Sequence, residues 1–204
     1  MKKIVFAVLA GVALFATCAL RAENGPLLIR VRGVHIDPSD KSDANSGANI
    51  PADAITVDTK TIPEVDFTYF FTKNFAAELI LTYPQELDVN LAGVNIGSFK
   101  ALPPTLTAQW HFLPDGPVDP YIGAGVNLTL ISSVDLAGGT LDLDSSSIGL
   151  AGQLGLDIRV TPKWVINLDA KYVQISSDVK AGSARISAVQ LDPWLLGAGV
   201  GYRC

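Results

Sequence analysis

Long apolar runs are missing from this 204-residue chain once residue 16 is passed, and their absence disfavours a helical membrane protein. Cysteine is almost missing too, with Cys18 near the start and Cys204 at the end. No internal disulfide can survive removal of the leader, so Cys204 reads as an inert terminal residue, with pairing between two chains as the alternative. Basic charge is scarce. The formal net charge is −5, and removing residues 1–22 takes Lys2, Lys3 and Arg21 but no acid. That leaves 12 basic against 20 acidic residues, about −8, which disfavours a nucleic-acid partner. Histidine is limited to His35 and His111. His35 with Asp37 offers only two potential metal ligands, too few for a site, so neither metal nor cofactor is expected. Gly123-Ala-Gly is not a dinucleotide fingerprint, because no helix follows it.

What the chain does have begins with an address. Lys2-Lys3 followed by the apolar run from Ile4 to Ala16 has the charged start and apolar middle of a secretory signal, too short to span a bilayer as a helix. Cleavage after Ala22 gives a signal over 1–22 and a mature domain over 23–204, although cleavage after Ala19 also satisfies the small-residue rule. Phe15-Ala16-Thr17-Cys18 fits a lipoprotein signal poorly.

Apolar residues make up 49% of the chain, and they are spread over short alternating segments. Between 164 and 172, Trp164, Ile166, Leu168, Ala170 and Tyr172 alternate with Asn167, Asp169 and Lys171. A one-residue slip would push those charges into hydrocarbon, at about 2–4 kcal/mol for a mid-plane Lys, so the register is fixed. The same parity places Ile148, Leu150, Leu154, Leu156, Ile158 and Val160 outward against Gln153, Asp157 and Arg159. It places Leu106, Ala108, Trp110 and Phe112 outward against Thr105, Thr107, Gln109 and His111. Val65, Phe67, Tyr69 and Phe71 oppose Asp66 and Thr68, and Phe75, Ala77, Leu79, Leu81 and Tyr83 oppose Glu78. Tight turns near Thr72-Lys73-Asn74, Pro114 to Pro117 and Thr161-Pro162-Lys163 alternate with long connections over 37–61, 84–99, 132–146 and 176–188. Seven connections imply eight strands. The expected fold is all-β: an eight-stranded antiparallel transmembrane β-barrel of up-and-down topology, short turns in the periplasm and long loops outside. Aromatics near the short turns predict a periplasmic girdle, with Tyr121 on the inward parity.

The inward lists also describe a lumen. Arg30, Arg32, Glu78, His111, Asp157, Arg159, Asp169, Lys171 and Arg203 map to its periplasmic half, where opposite charges can pair into a plug. Ile80, Val173, Ile175, Leu191 and Leu195 map above them as an apolar vestibule suited to a hydrophobic ligand. Pro84 and Pro103-Pro104 fall at the outer ends of neighbouring strands, where a missing donor either ends the strands or opens a lateral gate. Gly123, Gly125, Gly197, Gly199 and Gly201 face inward and make room for long side chains opposite or for a ligand. His111 with Asp157 or Asp169 imitates part of an acyl-transfer site, but without a convincing serine no enzyme is expected.

Several stretches resemble the OmpW family of outer-membrane proteins. They are Phe67-Thr-Tyr-Phe-Phe-Thr-Lys-Asn, Leu102-Pro-Pro-Thr-Leu, Tyr121-Ile-Gly-Ala-Gly-Val-Asn, Gly149-Leu-Ala-Gly-Gln-Leu-Gly-Leu-Asp, Leu191-Asp-Pro-Trp and Gly199-Val-Gly-Tyr-Arg. The resemblance covers nearly the whole mature chain. It implies a monomeric barrel of the bacterial outer membrane that lets small hydrophobic molecules cross, with sideways release into the membrane and a role as a bacteriocin receptor described for members. Such barrels usually end on an aromatic residue read by the insertion machinery, whereas Tyr202 here lies two places early.

The expectation is therefore a passive channel for small hydrophobic molecules, whose partners are outer-membrane lipid, its permeants and the barrel-insertion machinery. Two alternatives stand beside it. One is a structural or adhesive barrel whose loops bind a partner such as a bacteriocin or a host surface. The other is a secreted soluble barrel holding a ligand.

Overall fold

A computed structural model describes residues 25–39, 41–42, 52–181 and 184–204. The expected signal, 1–22, lies outside the described residues. Eight strands form the barrel: β1 (Leu27–Asp37), β2 (Lys60–Phe70), β3 (Phe75–Leu81), β4 (Thr105–His111), β5 (Val118–Leu136), β6 (Ser146–Arg159), β7 (Trp164–Val173) and β8 (Trp194–Arg203). Each pairs antiparallel with its sequence neighbours. β8 returns to β1 from Leu28–Arg203 to Asp37–Trp194, so no edge remains in the membrane zone. The described residues contain no helix.

The alternation read from sequence sets which side each residue takes. Asn167, Asp169 and Lys171 are buried inside, while Trp164, Ile166 and Leu168 are nearly half exposed on the outer wall. Leu79, Leu106, Val126, Leu154 and Val200 continue that apolar exterior around the circumference. In water such a surface would be untenable, whereas lipid is its matching solvent. Aromatics mark both ends of the band. Phe71 packs on Tyr69 and Phe75, and Trp164 meets Tyr202 edge-on at 5.0 Å beside the short turns. Tyr172 and Trp194 pair at 5.4 Å at the opposite end. Tyr121 stands apart, inside the lumen and 1% exposed.

The three tight turns form where expected, closed by Phe71 N–H to Phe75 O, Gly116 N–H to Leu113 O and Val160 N–H to Trp164 O. The long connections are a correction. They carry strands: Gln85–Leu91 pairs with Val94–Leu102, and Ser176–Ala181 with Ala184–Gln190. Ala92 and Gly93 both have positive φ, the geometry of a two-residue hairpin turn that glycine eases. Val94–Leu102 also pairs with the upper part of β5, and Ile55–Val57 pairs with Gln85–Leu91. β5 has 19 residues, about 65 Å at ~3.4 Å each, well beyond an apolar band of about 25 Å even when tilted. The wall thus continues above the membrane. The reason is alternation again: Leu87 and Val89 face in between Glu86, Asp88 and Asn90.

Cys204 is buried, and its N–H bonds the Leu27 carbonyl at 2.8 Å.

Candidate functional site

The lumen has two storeys of opposite chemistry. The lower is a charged plug. Arg30 on β1 reaches three strands, donating to Asp157 at 2.6 and 3.3 Å, to Asp66 and Glu78 at 3.2 Å each, and to Thr68 at 2.6 Å. Arg32, one pleat higher, lies 2.9 Å from both Glu64 and Asp66 and 3.4 Å from Glu78 and Asp169. Lys171 on β7 completes the set, 3.2 Å from Glu64 and 3.3 Å from Asp169. Gln109 and Gln153 donate to Glu78 at 2.9 and 2.8 Å, tying β3, β4 and β6 together. All three cations are essentially inaccessible to solvent. A charge so buried is tolerable only when partners of opposite sign surround it, and each of the three cations here has at least two carboxylates within 3.4 Å.

Inward glycines explain how the arginines fit. A Cβ at Gly201 would come within 2.9 Å of Arg30 Cγ, and one at Gly199 within 2.8 Å of Arg32 Cγ. Gly155 likewise yields its place to the Tyr121 ring. That ring stacks on His111 at 4.9 Å and lies 5.4 Å under the Arg30 guanidinium. Its hydroxyl donates to Asp169 and accepts from Asn167. Packing, not ligand space, accounts for these glycines.

Three expectations shift at this level. His111 does not meet Asp157 or Asp169; its Nδ1 pairs with Asp119 at 2.8 Å and its Nε2 lies 3.4 Å from Gln109. Arg159 and Arg203 do not join the mesh but bind backbone carbonyls of the barrel floor, Pro114 O at 2.6 Å and Gly25 O at 3.3 Å. Arg203 also stacks over Phe70 at 4.3 Å. Both strands run past the plug to the short-turn end, which places these two arginines in the periplasmic half but below the mesh. Glu64 and Asp119 are mesh members that sequence reading missed. Their inward parity was available, but Pro63 and Pro120 beside them masked the strands.

Above Lys171 the lining turns apolar. An inner chamber of about 60 Å³ is bounded by Val34, Ile62, Val173, Ile175, Leu191 and Leu195, with Glu64, Lys171 and Asn127 reaching its floor. An outer chamber of about 250 Å³ lies among Ile55, Val89, Leu136, Ser177 and Val179, within the wall built by the extra hairpins. Val57, Phe99, Ile131 and Leu191 line both. Of the five expected vestibule residues, Val173, Ile175, Leu191 and Leu195 border the inner chamber. Ile80 is buried but does not line it. His35, on the outer face, bonds Thr61 at 3.1 Å.

The prolines interrupt the wall of the inner chamber. β3 and β4 pair as far as Ile80–Thr105, and the next pair between these arms is Gln85–Ala101. Residues 81–84 and 102–104, holding Pro84, Pro103 and Pro104, are unpaired with each other. A second interruption was not foreseen. β2 pairs with β3 only from Val65–Leu81 downward, so residues 60–64 have no ladder on that edge. Only Thr82 Oγ1 to Pro63 O at 3.0 Å and Lys60 Nζ to Glu86 O at 2.7 Å bridge it among the described residues. Ile62, Thr82, Gln85 and Pro103, which flank these gaps, all line the inner chamber.

Comparison with known proteins agrees with this architecture. An uncharacterized outer-membrane protein, y4mB of Sinorhizobium fredii, is 39% identical over 195 residues, covering 92% of this chain and 84% of that protein. Outer membrane protein W of Escherichia coli is 30% identical over 215 residues, covering 100% of both. The crystal structure of OprG from Pseudomonas aeruginosa superposes with a TM-score of 0.76 at 29% identity, covering 89% of this chain and 97% of that one. The OmpW family model matches residues 23–204. The chain therefore belongs to the OmpW family, as an eight-stranded β-barrel of the bacterial outer membrane.

Proposed function

We infer that this barrel is a passive conduit for small hydrophobic molecules, acting as a monomer. The observation that carries the reading is the stacking of an apolar chamber on a floor of buried ion pairs. A greasy molecule gains by partitioning from water into the chamber, at about 25 cal/mol per Å² of apolar surface covered. It gains nothing by descending, because passage downward would break several buried ion pairs at once. The exit is sideways, through the gaps beside Pro63, Pro84 and Pro103-Pro104, into the hydrocarbon that already wets the outer wall. A relative from Pseudomonas aeruginosa, 29% identical over 190 residues, is named a dibenzothiophene metabolism operon protein, which supports a hydrophobic permeant.

Replacing both Pro103 and Pro104 by Val restores two backbone donors beside Gln85–Ala101. The double variant should insert normally and show uptake of a hydrophobic probe reduced severalfold in whole cells. Unchanged uptake would remove the lateral exit from the mechanism.

A further inference from the structure

Buried polar atoms in folded proteins nearly always find a partner, and an exception calls for a reason. Among the described residues four such side-chain atoms lack a hydrogen bond. Two of them, Arg32 Nε and Asp66 Oδ2, sit within the plug, where Asp66 Oδ2 is held 2.9 Å from the Arg32 guanidinium. The other two are Gln85 Oε1 and Ser177 Oγ. Gln85 lines the inner chamber and Ser177 the outer one, so each of these largely apolar rooms is lined by a residue with one orphaned oxygen.

Gln85 is the sharper case. It is 2% exposed, and its Nε2 donates to Tyr83 O at 3.0 Å. That bond fixes the amide: a flip would bring two acceptors together, so Oε1 is the atom left over. The polar groups on the chamber floor do not supply a donor, because they bond one another. Lys171 is spent on Glu64 and Asp169, Asn127 donates to Thr105 at 2.8 Å, and Thr129 donates to Asn127 at 2.6 Å. Gln85 also opens the strand that follows Pro84, beside the gap in the wall.

We propose that the permeants are apolar molecules carrying a single hydroxyl, bound through Ser177 in the outer chamber and through the Gln85 carbonyl oxygen in the inner one. A pure hydrocarbon would leave both oxygens desolvated and unpaired. A hydroxylated one donates to Gln85 and exchanges a bond with Ser177, recovering what its own desolvation costs. The outer chamber, at about 250 Å³, exceeds the ~150 Å³ void that accepts benzene. The inner one is smaller, so a ring enters it only as the wall parts beside Gln85.

The inference rests on the conduit reading and is separable from it by comparing phenol with benzene. Binding to the full barrel in lipid nanodiscs is measured relative to partition into empty nanodiscs, for wild type, Gln85→Leu and Ser177→Ala, each checked for folding by its heat-shifted gel mobility. The expected result is that wild type favours phenol over benzene and that Gln85→Leu reduces the preference roughly fivefold, the worth of one net hydrogen bond, while benzene binding holds or rises. Equal preference in wild type, or a preference untouched by both substitutions, overturns the hydroxyl inference and leaves the conduit standing. Binding of neither compound removes the conduit reading itself. Should Gln85→Leu fail to fold, the wild-type comparison and Ser177→Ala decide the question.

Discussion

Arg30 shows what one buried side chain does for this barrel. Its guanidinium joins β1 to β2, β3 and β6 through buried carboxylates, of which Asp66 and Glu78 have no exposed surface. Arg30→Ala should therefore cost about 3–5 kcal/mol, because it strips the countercharge from Asp66, Glu78 and Asp157 and leaves them buried. Urea titration of the lipid-embedded barrel, followed by loss of heat-shifted mobility, measures that cost. A loss below 1 kcal/mol would mean that water already reaches the carboxylates. The residues of this mesh were mostly legible in the sequence, since parity alone turns Arg30, Glu78 and Asp169 inward. Their partners were not. Whether His111 takes Asp119 or Asp157 depends on stagger between strands, which the alternation within a strand does not encode.

At the level of the strand, β7 carries the clearest consequence. Leu168 lies in the middle of its outward face, opposite Ala198 on β8 and Leu156 on β6. Leu168→Arg should lower folding stability in lipid by about 2–4 kcal/mol, whereas Val160→Arg, beside a periplasmic turn, should cost under about 1 kcal/mol. Equilibrium refolding into liposomes separates the two, and equal penalties would contradict the assigned depth. The element least legible in sequence was the hairpin formed by Gln85–Leu91 and Val94–Leu102. Its alternation was present in Leu87, Val89 and Leu91 between the acids Glu86 and Asp88, yet the segment reads in sequence as part of the long connection over 84–99. Those acids face water outside the membrane zone, while the apolar partners face a chamber that only the assembled wall creates. Pro63 was overlooked for a related reason: a gap along β2 is visible only once its neighbour's ladder is known to stop at Leu81.

For the molecule as a whole, the three tryptophans provide a built-in depth gauge. Trp110, Trp164 and Trp194 all lie on the outer wall, about half exposed, and none faces the lumen. Trp110 and Trp164 belong to the periplasmic end and Trp194 to the opposite end. Fluorescence should therefore be quenched more strongly by lipids brominated close to the headgroup than by those brominated near the chain end. The reverse order would displace the barrel relative to the bilayer. The all-round closure on which this depends was legible from seven connections and a repeating parity, whereas the storeys inside it depend on the stagger between strands, which parity does not encode.

The ladder joining β1 to β8 has a kinetic meaning. Its partners, such as Leu28 with Arg203, are the most distant contacts the fold contains, so the last seam to zip is the one between the first strand and the last. Until that moment each nascent barrel exposes two unsatisfied edges to hydrocarbon, where unpaired amides are most costly. A chaperone that shields those edges should therefore accelerate closure more than any gain in strand propensity.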